Sequence, residues 1–391
     1  MSANQEAETT GSAPSAPGLP IQVSANKRRL ALAGLLVLIV VAAAGAWIYV
    51  RFGGDADYRA VQDALARRDF QEASRRLQKY LDAKPGDRAV RLLTAQTARR
   101  QGDFQDAASH LQIYENHAGA DADVDQERRL LRIQQGNLIE AEATLAWCAK
   151  NPNALQTPLM LEALIEGCLS GLWATLQCEM AGQGEVSPAD FARAQRAIDQ
   201  WLAQRPGQPD QVQGHVWLGK LHSVARDYPK AHAAFRKAVD LDPQSFAARE
   251  LLGLSLLHDA PAEAALHLQA LHQRDPANAK ISYFLATVRR TLGELEAAAQ
   301  LLDAVLAQQP EHVPALVERG RVALDQRHAA DAELWLHRAM TLAPNHAQAN
   351  MIYSQCLQQA DRAAEAKRYH DRFLEIEAEV KRQRDEMKKR S

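Results

Sequence analysis

The sequence predicts an all-α protein. Three observations lead to this fold class: the composition, a repeat period of about 34 residues, and the residues that mark the turns and helix ends within each repeat. Ala, Leu, Gln, Glu and Arg dominate the 391 residues, whereas Ile, Thr and aromatic residues are sparse. Ala and Leu favour helices because they lose little side-chain freedom there. The formal net charge of -2 lacks the basic excess of a general nucleic-acid binder.

Internal repetition is the most informative feature of the chain. Residues 68–77 read RDFQEASRRL, and the segments starting at residues 102 and 136 read GDFQDAASHL and GNLIEAEATL. Alanines recur at spacings of 33 or 34 residues, at Ala73, Ala107, Ala141 and again at Ala231, Ala264, Ala298, Ala332 and Ala366. A fixed period of this length indicates one supersecondary unit repeated along the chain.

Each unit reads as two antiparallel helices joined by a short turn. The recurring Ala marks the place where the helices touch, because a larger side chain would push their axes apart. Gly102, Gly136 and Gly293 fall at the turn, where a positive φ is often required. The aspartates that follow the turn can cap the second helix, and a proline ends most units.

Residues 212–245 resemble the tetratricopeptide repeat (TPR) family most clearly. The match comprises a Leu-Gly pair in the first helix and five positions after it: Leu218, Gly219, Tyr228, Ala231, Phe235, Ala238 and Pro243. His215 and His222 depart from the aromatic residues that the family prefers. The resemblance extends from about residue 54 to 380. It implies an α-solenoid of about nine helix-turn-helix repeats.

The repeats divide into two regular arrays separated by an irregular unit. Residues 54–155 hold repeats 1–3, residues 156–211 hold repeat 4 and residues 212–380 hold repeats 5–9. Repeat 4 contains a Gly-rich insertion near residues 180–188, which is either a functional loop, a bend, or a tolerated surface insertion. The basic end of the last helix, residues 381–391, either caps the array or touches anionic lipid or an acidic partner.

The sequence predicts an N-terminal membrane anchor before the repeats. Residues 1–29 are predicted to form a disordered tail with a basic flank, followed by a charge-free run at residues 30–50. That run spans roughly 30 Å as a helix, the thickness of a bilayer core, and predicts a transmembrane signal anchor. The alternatives are a buried soluble helix and a signal peptide cleaved near Ala44-Gly45-Ala46.

The charges that flank this segment predict its orientation. Lys27, Arg28 and Arg29 precede it, whereas only Arg51 and Arg59 follow nearby. By the positive-inside rule the N-terminus is cytoplasmic and the repeats are extracytoplasmic, in the periplasm if the protein is bacterial.

Catalytic and metal-binding motifs are absent from the sequence. His258, His267 and His272 lack the spacing of three or four residues that would place three ligands on one helix face. Cys168 and Cys178 would lie about 15 Å apart on one helix, too far to pair. We therefore expect no metal, no cofactor, free and partly buried thiols, and no enzymatic activity.

The resemblance implies that first helices line a concave groove that binds proteins or peptides. Twelve positions are predicted to face inward: Tyr58, Leu92, Arg99, Val216, Lys220, Glu250, Tyr283, Thr287, Arg290, Val317, Arg321 and Met351. Among them the strongest partner-groove candidates are Tyr58, Arg99, Lys220, Tyr283, Arg290 and Arg321. The four basic candidates predict a groove for acidic segments or a C-terminal carboxylate, with merely solvated charges as the alternative.

The predicted function is a membrane-anchored scaffold that binds partner proteins, in a setting such as envelope complex assembly or secretion. One alternative is a self-assembling structural membrane protein whose solenoids stack through Trp173 or Trp201. The other is an enzyme or catalytic adaptor, although no unassigned stretch is long enough for a catalytic domain.

Overall fold

A computed structural model describes residues 56–119, 121–154, 156–180 and 187–390 of the chain. They belong to two units, residues 1–63 and 64–391. The predicted tail, the predicted membrane segment at 30–50 and most of the insertion near 180–188 lie outside the described residues.

The described residues form eighteen helices and no strand. In chain order these are α1 (Ala56–Ala66), α2 (Phe70–Ala83), α3 (Arg88–Gln101), α4 (Phe104–Ala118), α5 (Ala122–Gln134), α6 (Ala141–Lys150), α7 (Thr157–Met180), α8 (Pro188–Gln204), α9 (Gln208–Val224), α10 (Tyr228–Leu241), α11 (Phe246–Ser255), α12 (Pro261–Arg274), α13 (Ala279–Thr291), α14 (Leu295–Gln308), α15 (Val313–Asp325), α16 (Ala329–Leu342), α17 (Ala347–Gln359) and α18 (Ala363–Arg390). The all-α solenoid prediction, with about nine helical pairs, is confirmed.

Left-handed residues mark the turns between the two helices of a repeat. The glycines expected there, at 102, 136 and 293, have φ values of 91°, 96° and 80°. In four other repeats a non-glycine residue takes the same place, at Arg68, Arg226, Arg327 and Asp361. Left-handed backbone is unfavourable for such residues, so each is held there by the helices on either side.

The C-terminal half, α9–α18, follows the regular repeat plan. Each first helix packs on the second helix of its own repeat, and each second helix packs on the next first helix. The recurring alanines, such as Ala264 and Ala298, are fully buried at these contacts. Gly219 permits the contact between α9 and α10, because a Cβ there would lie 2.4 Å from the Phe235 ring.

The N-terminal half, α2–α8, departs from that plan because α7 is long and displaced. It has 24 residues, and it packs against α5, α8 and α9 as well as against the short α6. Leu161, Leu164 and Ile165 on successive faces of α7 are all fully buried. Gly167 allows the closest approach, since a Cβ there would lie 2.2 Å from the Ile133 carbonyl oxygen of α5.

By length and composition, one helix among the described residues is apolar enough to cross a membrane: Thr157–Gln177, within α7, with a mean hydropathy of 1.4. Its side chains are mostly buried against neighbouring helices of the same unit. A helix that is apolar on all sides fits a protein core as well as a bilayer, so this packing accounts for its composition.

Candidate partner-binding groove

The candidate site is the surface formed by the first helices of the C-terminal half, α9, α11, α13, α15 and α17, which we call the C-terminal groove. Direct contacts along this surface join α9 to α11, α13 to α15 and α15 to α17. Ion pairs also join them: Lys280 on α13 lies 2.7 Å from Glu250 on α11. The next two first helices, α13 and α15, are also joined through their side chains.

Arg290 links α13 to α15 at this surface. Its Nε donates to Glu318 at 2.5 Å and its Nη1 donates to Asp325 at 3.0 Å. Burial by itself would lower the pKa of Arg290, but the two carboxylates outweigh it and raise that pKa. Arg290 therefore stays charged, and its charge is committed to α15.

Two other basic residues predicted for the groove have a weak ion pair or none. Arg321 lies 3.5 Å from Glu318, a carboxylate that Arg290 already engages. Lys220, half-buried on α9, forms no ion pair with any residue that the structure describes. Among the basic groove candidates, these two are the ones whose positive charge is available to a partner.

Tyr283 lies between Lys220 and Arg321 in the sequence and supplies an aromatic surface. It is half-buried, and its ring lies 5.2 Å from Phe284 and 5.5 Å from His312, measured between ring centroids. Burial raises the pKa of Tyr283, and the nearby Glu318 carboxylate raises it further. The phenol is therefore neutral at pH 7 and can contact an apolar group or share a hydrogen bond.

The structure places Arg99 elsewhere, and this corrects the expectation that it lines an open groove. Its side chain is 0% exposed and donates to Glu127, while its Nη1 donates to Gln134 at 2.8 Å. Both partners belong to α5, and α7 packs on α5. Arg99 is enclosed where α5 and α7 pack together, and it cannot reach a partner.

A buried ion cluster fixes α7 over the first repeats; we call Arg68, Arg100 and Glu162 the Glu162 cluster. Arg68 Nη2 lies 2.5 Å from Glu162, and Arg100 donates to both carboxylate oxygens at 3.1 and 3.0 Å. Burial by itself would raise the pKa of Glu162, but Arg68 and Arg100 overcome it and lower that pKa. The carboxylate is therefore ionised at neutral pH.

Aromatic contacts support the same arrangement. The Trp217 Nε1 of α9 donates to Glu166 of α7 at 2.6 Å, and the Trp201 and Trp217 rings meet edge to face at 5.0 Å. The Arg68 guanidinium lies 5.6 Å from the Trp217 ring centroid. Trp201 is buried, so it offers no surface for self-association, whereas Trp173 is 40% exposed.

Sequence reasoning missed this cluster, although one signal was present. Glu162 and Glu166 are carboxylates four residues apart in the most apolar stretch of a mostly apolar helix. Such residues in a buried helix need partners, and here the partners come from repeats far apart in sequence. The remaining groove candidate, Tyr58, lies in the first unit, where its hydroxyl accepts a hydrogen bond from Gln62 at 3.0 Å.

The described part of the chain offers few groups for metal binding or thiol chemistry. No group of three or more His, Cys, Asp or Glu side chains there could hold a metal ion. Cys148, Cys168 and Cys356 are free and buried, and burial raises the pKa of Cys148 and of Cys168 to about 11. Cys178 lies in α7, but its side chain falls outside the described residues.

The repeated helical pairs and the surface along their first helices define an α-helical repeat protein of the solenoid class. Two sequence families described as tetratricopeptide repeat match it, one at residues 58–123, 180–245 and 218–279 and the other at residues 255–318. The chain is therefore a tetratricopeptide-repeat protein.

Solved structures of other helical-repeat proteins are similar to part of the chain. MamA from Desulfovibrio magneticus RS-1 is 14% identical over 44% of this chain and 98% of its own, with a TM-score of 0.40. PilF of Pseudomonas aeruginosa is 20% identical over 44% and 78%, with a TM-score of 0.38. YrrB, a TPR protein with an unusual peptide-binding site, is 18% identical over 54% and 96%, with a TM-score of 0.39. A search of curated proteins gave no match.

Proposed function

We propose that this protein is a membrane-anchored scaffold that binds a partner protein or peptide in the C-terminal groove, and that it acts by binding without catalysis. The observation that carries the proposal is the contrast between the two inner surfaces. In the N-terminal half α7 covers α5 and buries Arg99, whereas in the C-terminal half Lys220, Tyr283 and Arg321 stay partly exposed. TPR domains bind proteins or peptides, which supports the same conclusion.

The proposed partner is an acidic segment with an apolar or aromatic group. Lys220 and Arg321 would receive its carboxylates, because the other basic side chains named above already hold carboxylates of the chain. Tyr283 and Phe284 would receive its apolar group. A free C-terminal carboxylate is one form that such a segment could take.

The proposed location follows from the sequence around residues 30–50. This segment would anchor the chain as a single transmembrane helix with a cytoplasmic N-terminus and extracytoplasmic repeats. Assembly of envelope complexes or secretion is the setting that we propose for such a scaffold.

The test is affinity capture with the full chain in detergent, followed by mass spectrometry. One bait carries Lys220→Glu and Arg321→Glu in the groove. A matched bait carries Lys237→Glu and Arg338→Glu on the exposed surfaces of the second helices α10 and α16, so both lose the same charge. Arg290 is left intact because its reversal would place a carboxylate against Glu318.

We expect a partner that the wild-type chain and the matched control retain and that the groove variant loses. A partner that all three baits retain would exclude the charged groove as the binding site. Equal loss from both variants would point to unspecific attraction to positive charge. Absence of any partner from the wild-type bait would contradict the scaffold proposal.

A further inference from the structure

Helix α9 carries two histidines, His215 and His222, at positions where residues 212–245 depart from the repeat pattern. They lie seven residues apart, close to two helical turns, so both side chains project from one face of α9, which we call the histidine face. Both residues are half-buried, and the Nδ1 atom of each is buried without a hydrogen-bond partner among the described residues. Lys220 of the groove projects from the other side of the helix. The histidine face therefore belongs neither to the groove nor to the Glu162 cluster.

The histidine face points between α8 and α10, the helices that precede and follow α9. A Cβ at Gly214 would lie 2.4 Å from a leucine of α8, and a Cβ at Gly219 would lie 2.4 Å from a phenylalanine of α10. These two glycines mark the directions of the neighbouring helices, and the histidines fall between them around the helix axis. The His222 ring agrees with this placement, because it lies 6.2 Å from the Phe191 ring of α8, measured between centroids. A change of charge on this face therefore acts where α9 packs on both neighbours.

Burial disfavours a proton on both imidazoles, because it lowers the pKa of His215 and of His222 from 6.5. Lys237 of α10 lowers the pKa of His215 further. Three charged groups act on His222 from α8, from the turn before α10 and from α10 itself: Asp199, Asp227 and Lys230. The two carboxylates oppose the effect of burial on this pKa without outweighing it, and the lysine adds to that effect. Neither α7 nor α11, the other helices that pack on α9, contributes a charge to these imidazoles in the described structure.

We propose that α9 is a pH-sensitive joint between the covered N-terminal half and the C-terminal groove, and that protonation of His215 and His222 loosens its packing on α8 and α10. A protonated imidazole donates from both ring nitrogens, so each Nδ1 would become a buried donor without an acceptor. The packing of this face therefore contributes its full stability above pH 6.5, and that contribution is lost as the pH falls through the lower folded pKa values. Trp217 of α9 binds Glu166 of α7 and Lys220 of α9 lies in the groove, so loosening of α9 affects both halves.

Hydrogen exchange followed by mass spectrometry tests the joint in the full chain in detergent. Protection is compared at about pH 7.5 and about pH 5.5, on either side of the titration of an unfolded histidine, after correction for the intrinsic effect of pH on exchange. The test variant carries His215→Gln and His222→Gln, which keep polar side chains and remove the titration. The matched control carries His258→Gln and His337→Gln at two exposed positions.

We expect the wild type and the matched control to lose protection in α8, α9 and α10 at the lower pH. The test variant should keep that protection. Helices α2 and α14 contain no histidine and should stay protected in all three proteins. The same loss in the test variant, or no loss in the α9 of the wild type, would overturn the proposal. A loss that extended equally to α2 and α14 would overturn it as well, because it would show unfolding of the whole unit.

Urea unfolding followed by circular dichroism provides the second readout, with a second variant that carries His215→Phe and His222→Phe and so keeps aromatic rings that cannot titrate. The urea midpoint of the wild type should fall as the pH drops from about 6.5 to about 5, with these two imidazoles taking up about two protons at most on unfolding. The phenylalanine variant should show a shallower fall, and an equal slope in both proteins would contradict the proposal. None of these measurements needs a groove partner, so failure of this proposal is distinguishable from failure of the scaffold proposal.

Discussion

Two arginine networks at the same register show how differently the two halves of the solenoid use the same residues. Arg99 donates to Glu127 and Gln134, which follow it by 28 and 35 residues, and Arg290 donates to Glu318 and Asp325 at the same two intervals. Each network joins two neighbouring first helices. The side chain of Arg99 is 0% exposed, whereas that of Arg290 is 23% exposed.

The cause of the difference is α7. It packs on α5 and is held there by the Glu162 cluster, so the first network becomes part of the core. The described structure places no comparable helix over α13 and α15, and the second network remains at the surface of the groove. The same network is thus enclosed in the core in one half and partly exposed in the other.

The largest expected effect comes from removing the arginine of each network. Arg99→Gln leaves Glu127 buried without a cation, and we expect local destabilisation of about 3 kcal/mol around α5. Arg290→Gln leaves Glu318 with a second cation, Arg321 at 3.5 Å, and about 1 kcal/mol should be lost around α15. Hydrogen exchange followed by mass spectrometry reports both helices in the same experiment.

The double variant Arg99→Met with Glu127→Leu is the control for this comparison. It removes both charges and keeps apolar volume, so protection of α5 should largely return. Equal losses at α5 and α15 in the single variants would contradict the conclusion that α7 makes the first network structural.

The next effect tests the close approach that seats α7. A Cβ at Gly167 would lie 2.2 Å from the Ile133 carbonyl oxygen, so Gly167→Ala must move one helix and should cost about 2 kcal/mol. Gly171 lies one turn later with open space around it, and Gly171→Ala should stabilise the helix by about 0.5 to 1 kcal/mol. Urea unfolding monitored by tryptophan fluorescence would resolve the two, since Trp201 and Trp217 pack beside α7.

Similar unfolding curves for these two alanine variants would mean that α7 does not approach α5 as closely as the structure shows. If hydrogen exchange showed that Gly167→Ala destabilises α13–α17, the conclusion that the two halves behave separately would be wrong.

A smaller effect concerns the left-handed residue at the turn between helices. Arg68 and Arg327 occupy equivalent turns with φ values of 60° and 65°, a conformation that glycine adopts more readily. Arg327→Gly should therefore be neutral or stabilising by about 0.5 kcal/mol. Arg68→Gly gains the same relief but removes one of the two cations of Glu162, and we expect a net loss of about 1 kcal/mol.

Comparison of urea midpoints for these glycine variants checks the sign of each change. A stabilised Arg68→Gly protein would show that the ion pair to Glu162 contributes less than the backbone strain costs.

Much of the fold can be predicted from the sequence because every repeat carries the same local pattern of residues. The alanine spacing, the glycines at 102, 136 and 293 and the capping aspartates determine helix pairs through short-range contacts. The position of α7 depends instead on contacts between Glu162 and arginines 62 and 94 residues earlier in the chain. Periodicity carries no information about such pairs, so it could not predict the burial of Arg99.

A further expected effect is a pH dependence that separates the covered half from the open one. The pKa of Glu162 is lowered from 4.5 by Arg68 and Arg100 in the folded chain. Its contribution to stability is therefore complete above pH 4.5 and is lost as the pH falls through the lower folded value. Glu162→Gln removes this titration, so the urea midpoint should fall less steeply with acid than in the wild type, by at most one proton, or about 1.4 kcal/mol per pH unit. Glu296→Gln, at an exposed position on α14, is the matched control and should leave the slope unchanged. A wild-type slope in the Glu162→Gln protein would mean that this carboxylate does not hold α7, and that the covered inner surface depends on apolar packing alone.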